Sequence, residues 1–319
     1  MKPHIFDELV MGIQIAVCGP RRLPSAQRLS GRVAVLDLAF AHSKSSGSYA
    51  SITHKLIDHL DDRLALFLDH HDSVFHKEFI LDQRFYLATK AQHGACPEMI
   101  TPQLYERIGA VDCILCHCDF DGLASAAKWI RKGEEPYEGC DYDAWCVDTR
   151  LAQPKENGLL LERALRGMPN QPRIVWAVLN QLAHGLKWSG GWDLIHQAAA
   201  IAQAKEQQAE FLAQGYRTLS EHVVFLDLTY HEEEYDRTQV LLLGQQKAKI
   251  AVLRRDHQLT FASSFDSGIN FLKLFGLSGG MPTVASVPLK HIKRYLLKLN
   301  VESRVILQLL DDLDLQHLM

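Results

Sequence analysis

Short, continuous apolar runs alternate with stretches of helical spacing through the first two-thirds of the chain. Residues 12–17, 32–36, 64–68, 113–116 and 144–147 are apolar enough to be strands covered on both faces. Between them, Ile57 and Leu60 share one face of a helix over 54–60, and residues 122–131 predict another helix. Strands separated by helices predict a mainly parallel sheet with helices on both faces. Residues 192–216, rich in Ala and Gln, predict a long helix leaving this domain. The texture then changes. Residues 222–228, 239–243, 249–253 and 259–262 predict short strands, with a hairpin turn at Gly244-Gln245-Gln246. A helical stretch over 269–275 is broken at Leu277-Ser278-Gly279-Gly280. The expected architecture is α/β in two domains: 1–191, a linker helix over 192–219, and a smaller α+β domain over 220–319, with a cleft between the two.

Acidic and imidazole residues follow these runs directly. Asp37 comes after the second, Asp69-His70-His71 after the third, His117 with Asp119 and Asp121 after the fourth, and Asp148 after the fifth. Ligand crevices in open α/β sheets lie at the carboxyl ends of strands, so these residues are predicted to share one rim. The residue types suit phosphate chemistry. Two divalent cations about 3.5–4 Å apart generate a nucleophile and neutralise phosphoryl oxygens. Carboxylates supply hard oxygen ligands, and imidazole favours transition metals such as Mn²⁺ over Mg²⁺. His117, Asp119 and Asp121, two residues apart, would project to one side of an extended segment. Gly122 permits a tight turn into the next helix, whose first donors, near residues 123–125 and including Ser125, would receive a phosphate. Arg150 would neutralise charge, unless it is an exposed loop arginine. The turn at His93-Gly94-Ala95-Cys96 is read either as a substrate contact through His93 or as a plain helix start. Cys113-x-x-Cys116-His117-Cys118 lacks a second Cys/His pair at zinc-finger spacing, so its cysteines read as small buried hydrophobes.

Composition narrows the class. The chain has 319 residues, 47% of them hydrophobic, with a net charge of -4 and both signs interspersed. That excludes the basic stripe of a protein gripping long duplex DNA, and no apolar run reaches the roughly 20 residues of a membrane span. Seven dispersed cysteines argue against a disulfide framework, and the first residues carry no apolar leader. A reduced, cytoplasmic protein with no membrane partner is the expectation. The leucines over 301–318 are expected to pack on their own domain rather than in a dimer coil, although a homodimer stays open.

At these residues the chain resembles the DHH phosphoesterase superfamily, which includes RecJ-type exonucleases, oligoribonucleases, cyclic-dinucleotide phosphodiesterases, exopolyphosphatases and manganese pyrophosphatases. Leu68-Asp69-His70-His71-Asp72-Ser73 is similar to the signature motif, and His117-Cys118-Asp119-Phe120-Asp121-Gly122 to the His-x-Asp-x-Asp-Gly motif. Val35-Leu36-Asp37-Leu38 and Val147-Asp148-Thr149-Arg150 resemble two further metal-binding motifs, and the segment from Gly276 to Ser286 resembles the glycine-rich segment of the DHH-associated domain. The order departs from the family: Asp37 and the triplet precede His117, which implies a circular permutation. Met281 stands where the family has His, and no Arg stands at Ser263-Ser264-Phe265.

The resemblance implies a role for each residue. His117 and Asp119 would hold one metal and Asp121, Asp148 and His70 the other, with Asp37 bridging them. His71 would face the phosphate, Asp69 would orient an imidazole, and Arg150 would assist. Ser125, His93, Gly279 and Gly280 would contact substrate. The cofactors implied are two Mn²⁺ ions, with Mg²⁺ or Co²⁺ as alternatives. The activity implied is hydrolysis of a phosphodiester or phosphomonoester in a small nucleotide or short oligonucleotide. The rivals are an exopolyphosphatase and a non-catalytic nucleotide-binding regulator.

Overall fold

A computed structural model describes residues 2–41, 49–277 and 281–318. The chain divides into two units, Met1–Ala202 and Gln203–Met319. The division falls inside one long helix, α7 (Trp192–Ala213), where the sequence predicts a separate linker over 192–219. Among the described residues no helix is long and apolar enough to cross a membrane.

The first unit holds strands β1 (His4–Ile5), β2 (Gln14–Cys18), β3 (Val33–Leu36), β4 (Leu64–Asp69), β5 (Phe85–Leu87) and β6 (Cys113–His117) in the order β1-β2-β6-β3-β4-β5. All neighbours pair in parallel except β1, an antiparallel edge. Each central strand splits its apolar residues between the two faces. Val17, Leu36, Leu68 and Ile114 enter one core with α3 (Phe120–Ile130) and α6 (Pro172–Ala183). Cys18, Val35, Phe67 and Leu115 enter the other with α1 (Thr53–Leu60). Burial on both faces is why these strands read as unbroken apolar runs. Helices α2 (Pro102–Ile108), α4 (Cys140–Thr149) and α5 (Glu156–Gly167) complete the unit.

The second unit's strands are β7 (Arg217–Ser220), β8 (Val223–Asp227), β9 (Ile250–Arg255), β10 (Gln258–Ser263) and β11 (Val284–Pro288), in the order β11-β10-β9-β8-β7. Here β8 and β9 are parallel and the other neighbours antiparallel. One face packs on α9 (Phe271–Phe275), α10 (Ile292–Lys298) and α11 (Ser303–Asp312), and the other on α8 (Arg237–Gln245). Ile306, Leu309 and Leu310 of α11 are buried in that core, which accounts for the C-terminal leucines.

Two predicted strands are helices. Residues 144–147 lie in α4, where Cys140, Ala144 and Val147 are buried at spacings of four and three. Residues 239–243 lie in α8, capped by the Asp236 carboxylate accepting from the Gln239 N–H at 2.9 Å. Four or five apolar residues cannot separate strand from buried helix; the flanking residues decide. Gly244 and Gln245 accordingly end a helix, and the hairpin is β9–β10, with Arg255 paired to Gln258.

Candidate metal centre

Sheet register assembles most of the cluster. Leu36 of β3 lies opposite both Leu68 of β4 and Cys116 of β6. One residue further on, Asp37, Asp69 and His117 therefore stand in a row at the carboxyl rim. The Asp37 N–H donates to the Leu68 carbonyl at 2.9 Å, and its φ of +55° turns the chain away from the sheet. Aspartate and asparagine tolerate that left-handed backbone better than most residues.

Asp119 and Asp121 arrive differently from the extended alternation predicted above. Asp119 is the N-cap of α3, accepting from the Gly122 N–H at 3.2 Å, and Asp121 lies in the first helical turn. Gly122 is required because an added Cβ would lie 2.5 Å from the His117 carbonyl oxygen. Asp148 ends no strand: it projects from the last turn of α4, one turn beyond Ala144.

His70 is fully buried and its ring is oriented by its neighbours. Its Nδ1–H donates to the His93 carbonyl at 2.9 Å, since a carbonyl can only accept. Nε2 is thereby turned to the cluster, 3.3 Å from Asp37 Oδ1, 3.5 Å from Asp121 Oδ2 and 3.6 Å from Asp148 Oδ2. On the other side of Asp37, Oδ2 lies 3.8 Å from His117 Nδ1, which contacts Asp119 Oδ2 at 2.6 Å. His71 is partly exposed and donates Nδ1–H to Asp69 Oδ1 at 2.8 Å, while His76 Nε2 stands 3.9 Å from Asp69 Oδ2.

Three ligand sets result: Asp37–His117–Asp119, His70–Asp121–Asp148 and Asp37–His70–His71. Asp37 turns one oxygen to each of the first two. Neither of its oxygens has a hydrogen-bond partner among the described residues, nor has Asp121 Oδ2 or His70 Nε2, and Asp37 is 1% exposed. A buried carboxylate left without hydrogen bonds is costly, so the donor set fits divalent cations. The electrostatics agree. Burial and then the Asp119 charge push the Asp37 carboxyl up to about 8. Burial, with Asp37 and Asp119, raises Asp121 well above its ordinary value. Burial opposes charge on His117, but the Asp119 carboxylate prevails and lifts it to about 10. Asp69, despite burial, is held low by His71.

The other predicted residues are in none of the three ligand sets. Arg150, in the left-handed C-cap of α4, pairs with Glu162 at 3.3 Å rather than joining the cluster. Ser125 is fully buried, its hydroxyl without a hydrogen-bond partner among the described residues, and the Leu123 N–H is taken by the Asp119 carbonyl at 3.1 Å. The early α3 donors at 122–123 are thus already engaged. The His93 side chain faces Glu98 at 3.5 Å, and only its carbonyl serves the cluster. Gly279 and Gly280 lie outside the described residues. Cys113 and Cys116 face opposite cores, which precludes a shared zinc.

Sequence reasoning missed Lys90. It is 7% exposed, and its ammonium bonds Asp148 Oδ2. Burial opposes its charge, but Asp148 and Asp121 outweigh that and raise it. A single lysine after a short edge strand carries no pattern that could have singled it out.

No protein-family model matches the chain, and no curated protein matches it. Among solved structures, it is similar to a pGpG-specific phosphodiesterase, PggH, from Vibrio cholerae. The TM-score is 0.44 at 15% identity, covering 74% of this chain and 79% of that one.

Proposed function

We propose that this chain is a DHH-type phosphoesterase that hydrolyses phosphodiester or phosphomonoester bonds of a small nucleotide or short oligonucleotide with two divalent cations, Mn²⁺ first among them. The observation that carries this reading is Asp37, a buried carboxylate with neither oxygen hydrogen-bonded among the described residues and one turned to each of two His/Asp sets. His117 and Asp119 would hold one cation and His70, Asp121 and Asp148 the other, with Asp37 shared. The chemistry such a pair supplies is polarisation of a phosphoryl oxygen and activation of water. The chain's own residues prepare for it. The His93 carbonyl holds the His70 ring with Nε2 turned to the site. Asp69 fixes the His71 ring through Nδ1. Permuted motif order is part of the proposal: β6, last in sequence of the first sheet's strands, lies between β2 and β3.

The test is hydrolysis of bis-p-nitrophenyl phosphate and of dinucleotides by chelator-stripped protein reloaded with Mn²⁺, with Asp37→Ala as control. Metal-dependent turnover lost in the variant is expected. A wild-type protein that binds no Mn²⁺ and cleaves neither substrate rejects the reading. Phosphate release from polyphosphate alone moves the substrate to phosphoanhydrides.

A further inference from the structure

The two ligand sets sharing the rim differ in one respect. Among the described residues no ammonium bonds His117 or Asp119, and the positive charge on His117 is a proton that metal binding displaces, whereas the set of His70, Asp121 and Asp148 has Lys90, a fixed cation, bonded to Asp148 Oδ2. That same oxygen faces His70 Nε2 at 3.6 Å. A cation entering the second set and the Lys90 ammonium therefore compete for one ligand atom.

The placement is built into the fold. Lys90 projects from a turn after β5 that is closed by the Thr89 N–H and hydroxyl donating to Gln92 Oε1 at 2.9 and 3.0 Å. The Gln92 and His93 N–H groups both donate to the Thr89 carbonyl, at 2.9 and 3.0 Å. The same turn delivers the His93 carbonyl to His70, so one segment orients a ligand of the second set and supplies its competitor. Gly94 lets the turn lie against α4, because a Cβ there would fall 2.2 Å from the Trp145 ring.

We propose that Lys90 is a resident cation that makes the two metal positions unequal: the position at His117 and Asp119 fills first, and the second fills only by taking Asp148 from Lys90. This rests on the two-cation reading above. Like charges a few ångströms apart in a site shielded from water repel strongly, so the ammonium lowers divalent affinity at its own position far more than at the other. At low metal concentration the protein is a one-metal form whose second positive charge is Lys90.

The experiment is calorimetric Mn²⁺ titration of the full chain, wild type, Lys90→Met and Lys90→Arg, with Lys90→Gln if the Met variant fails to fold. The wild type should show a tight and a weak class of site, or one site alone. The neutral variant should tighten the weak class at least about tenfold, or gain a second site, with the tight class unchanged. Lys90→Arg should stay near wild type. A neutral variant whose weak class is unchanged or looser, or that still binds one ion where wild type binds one, overturns the inference. Wild-type protein that binds no Mn²⁺ at all instead rejects the metal reading beneath it.

Discussion

Asp37→Asn separates the cost of the site from its use. In the metal-free protein the Asp37 carboxyl is 1% exposed and its oxygens are without hydrogen-bond partners among the described residues. Burial and the neighbouring Asp119 push it from the ordinary 3.8 to about 8. Between those two values the folded state keeps a proton that the unfolded chain has released. Stability of the metal-free protein therefore falls as pH rises across this window, by about 1.4 kcal/mol per pH unit from this one group. By pH 7 the accumulated loss is roughly 4 kcal/mol. Asparagine is neutral in both states, has nearly the same volume and tolerates the left-handed backbone. The variant should be more stable than wild type by about 2–4 kcal/mol at pH 7, and by only about 0.5 kcal/mol at pH 4, where the window of proton loss from the unfolded chain has barely opened. Urea unfolding of chelator-stripped protein at the two pH values measures this. With saturating Mn²⁺ the order should reverse, because wild type gains binding free energy that the variant has lost. A variant less stable than wild type at pH 7 without metal, or an equal gain at both pH values, refutes the idea that Asp37 is a carboxyl forced to hold its proton until a cation replaces it.

Mn²⁺ affinity should rise at least about tenfold from pH 6 to pH 8, because Asp37 (about 8) and His117 (about 10) are raised by their surroundings and must shed protons to become ligands. Calorimetry in buffers of different ionisation enthalpy should show net proton release, and pH-independent affinity would contradict it. His93→Ala should retain activity within about threefold, since only the backbone carbonyl of residue 93 holds His70, whereas His70→Ala should lose at least about 10²-fold in kcat/KM; equal losses in the two variants would place the His93 ring in the site. Gly94→Ala should lower stability by about 1–3 kcal/mol, because its Cβ would meet the Trp145 ring at 2.2 Å, and an unchanged melting temperature would show that the turn yields freely.

The central strands and the cluster's strand-borne members were legible because both depend on local pattern. Strands buried on two faces must be continuously apolar, so Leu64–Asp69 and Cys113–His117 announce themselves, and a charged residue ending such a run has nowhere to go but the rim. Asp37, Asp69 and His117 follow from that rule alone. Asp148 was found beside the right neighbours for the wrong local reason: residues 144–147 are too few to show helical period, and α4 carries Asp148 in its last turn. Gln239–Leu243 failed in the same way, with the Asp236 cap deciding for helix.

What tertiary structure alone decided are the pairings between residues far apart in sequence. Arg150 was drawn off to Glu162, and Lys90 reached Asp148 across 58 positions. Hydrophobic periodicity is a property of consecutive residues and is written along the chain. The partner of a buried charge depends on which elements pack side by side, and no local window contains that information.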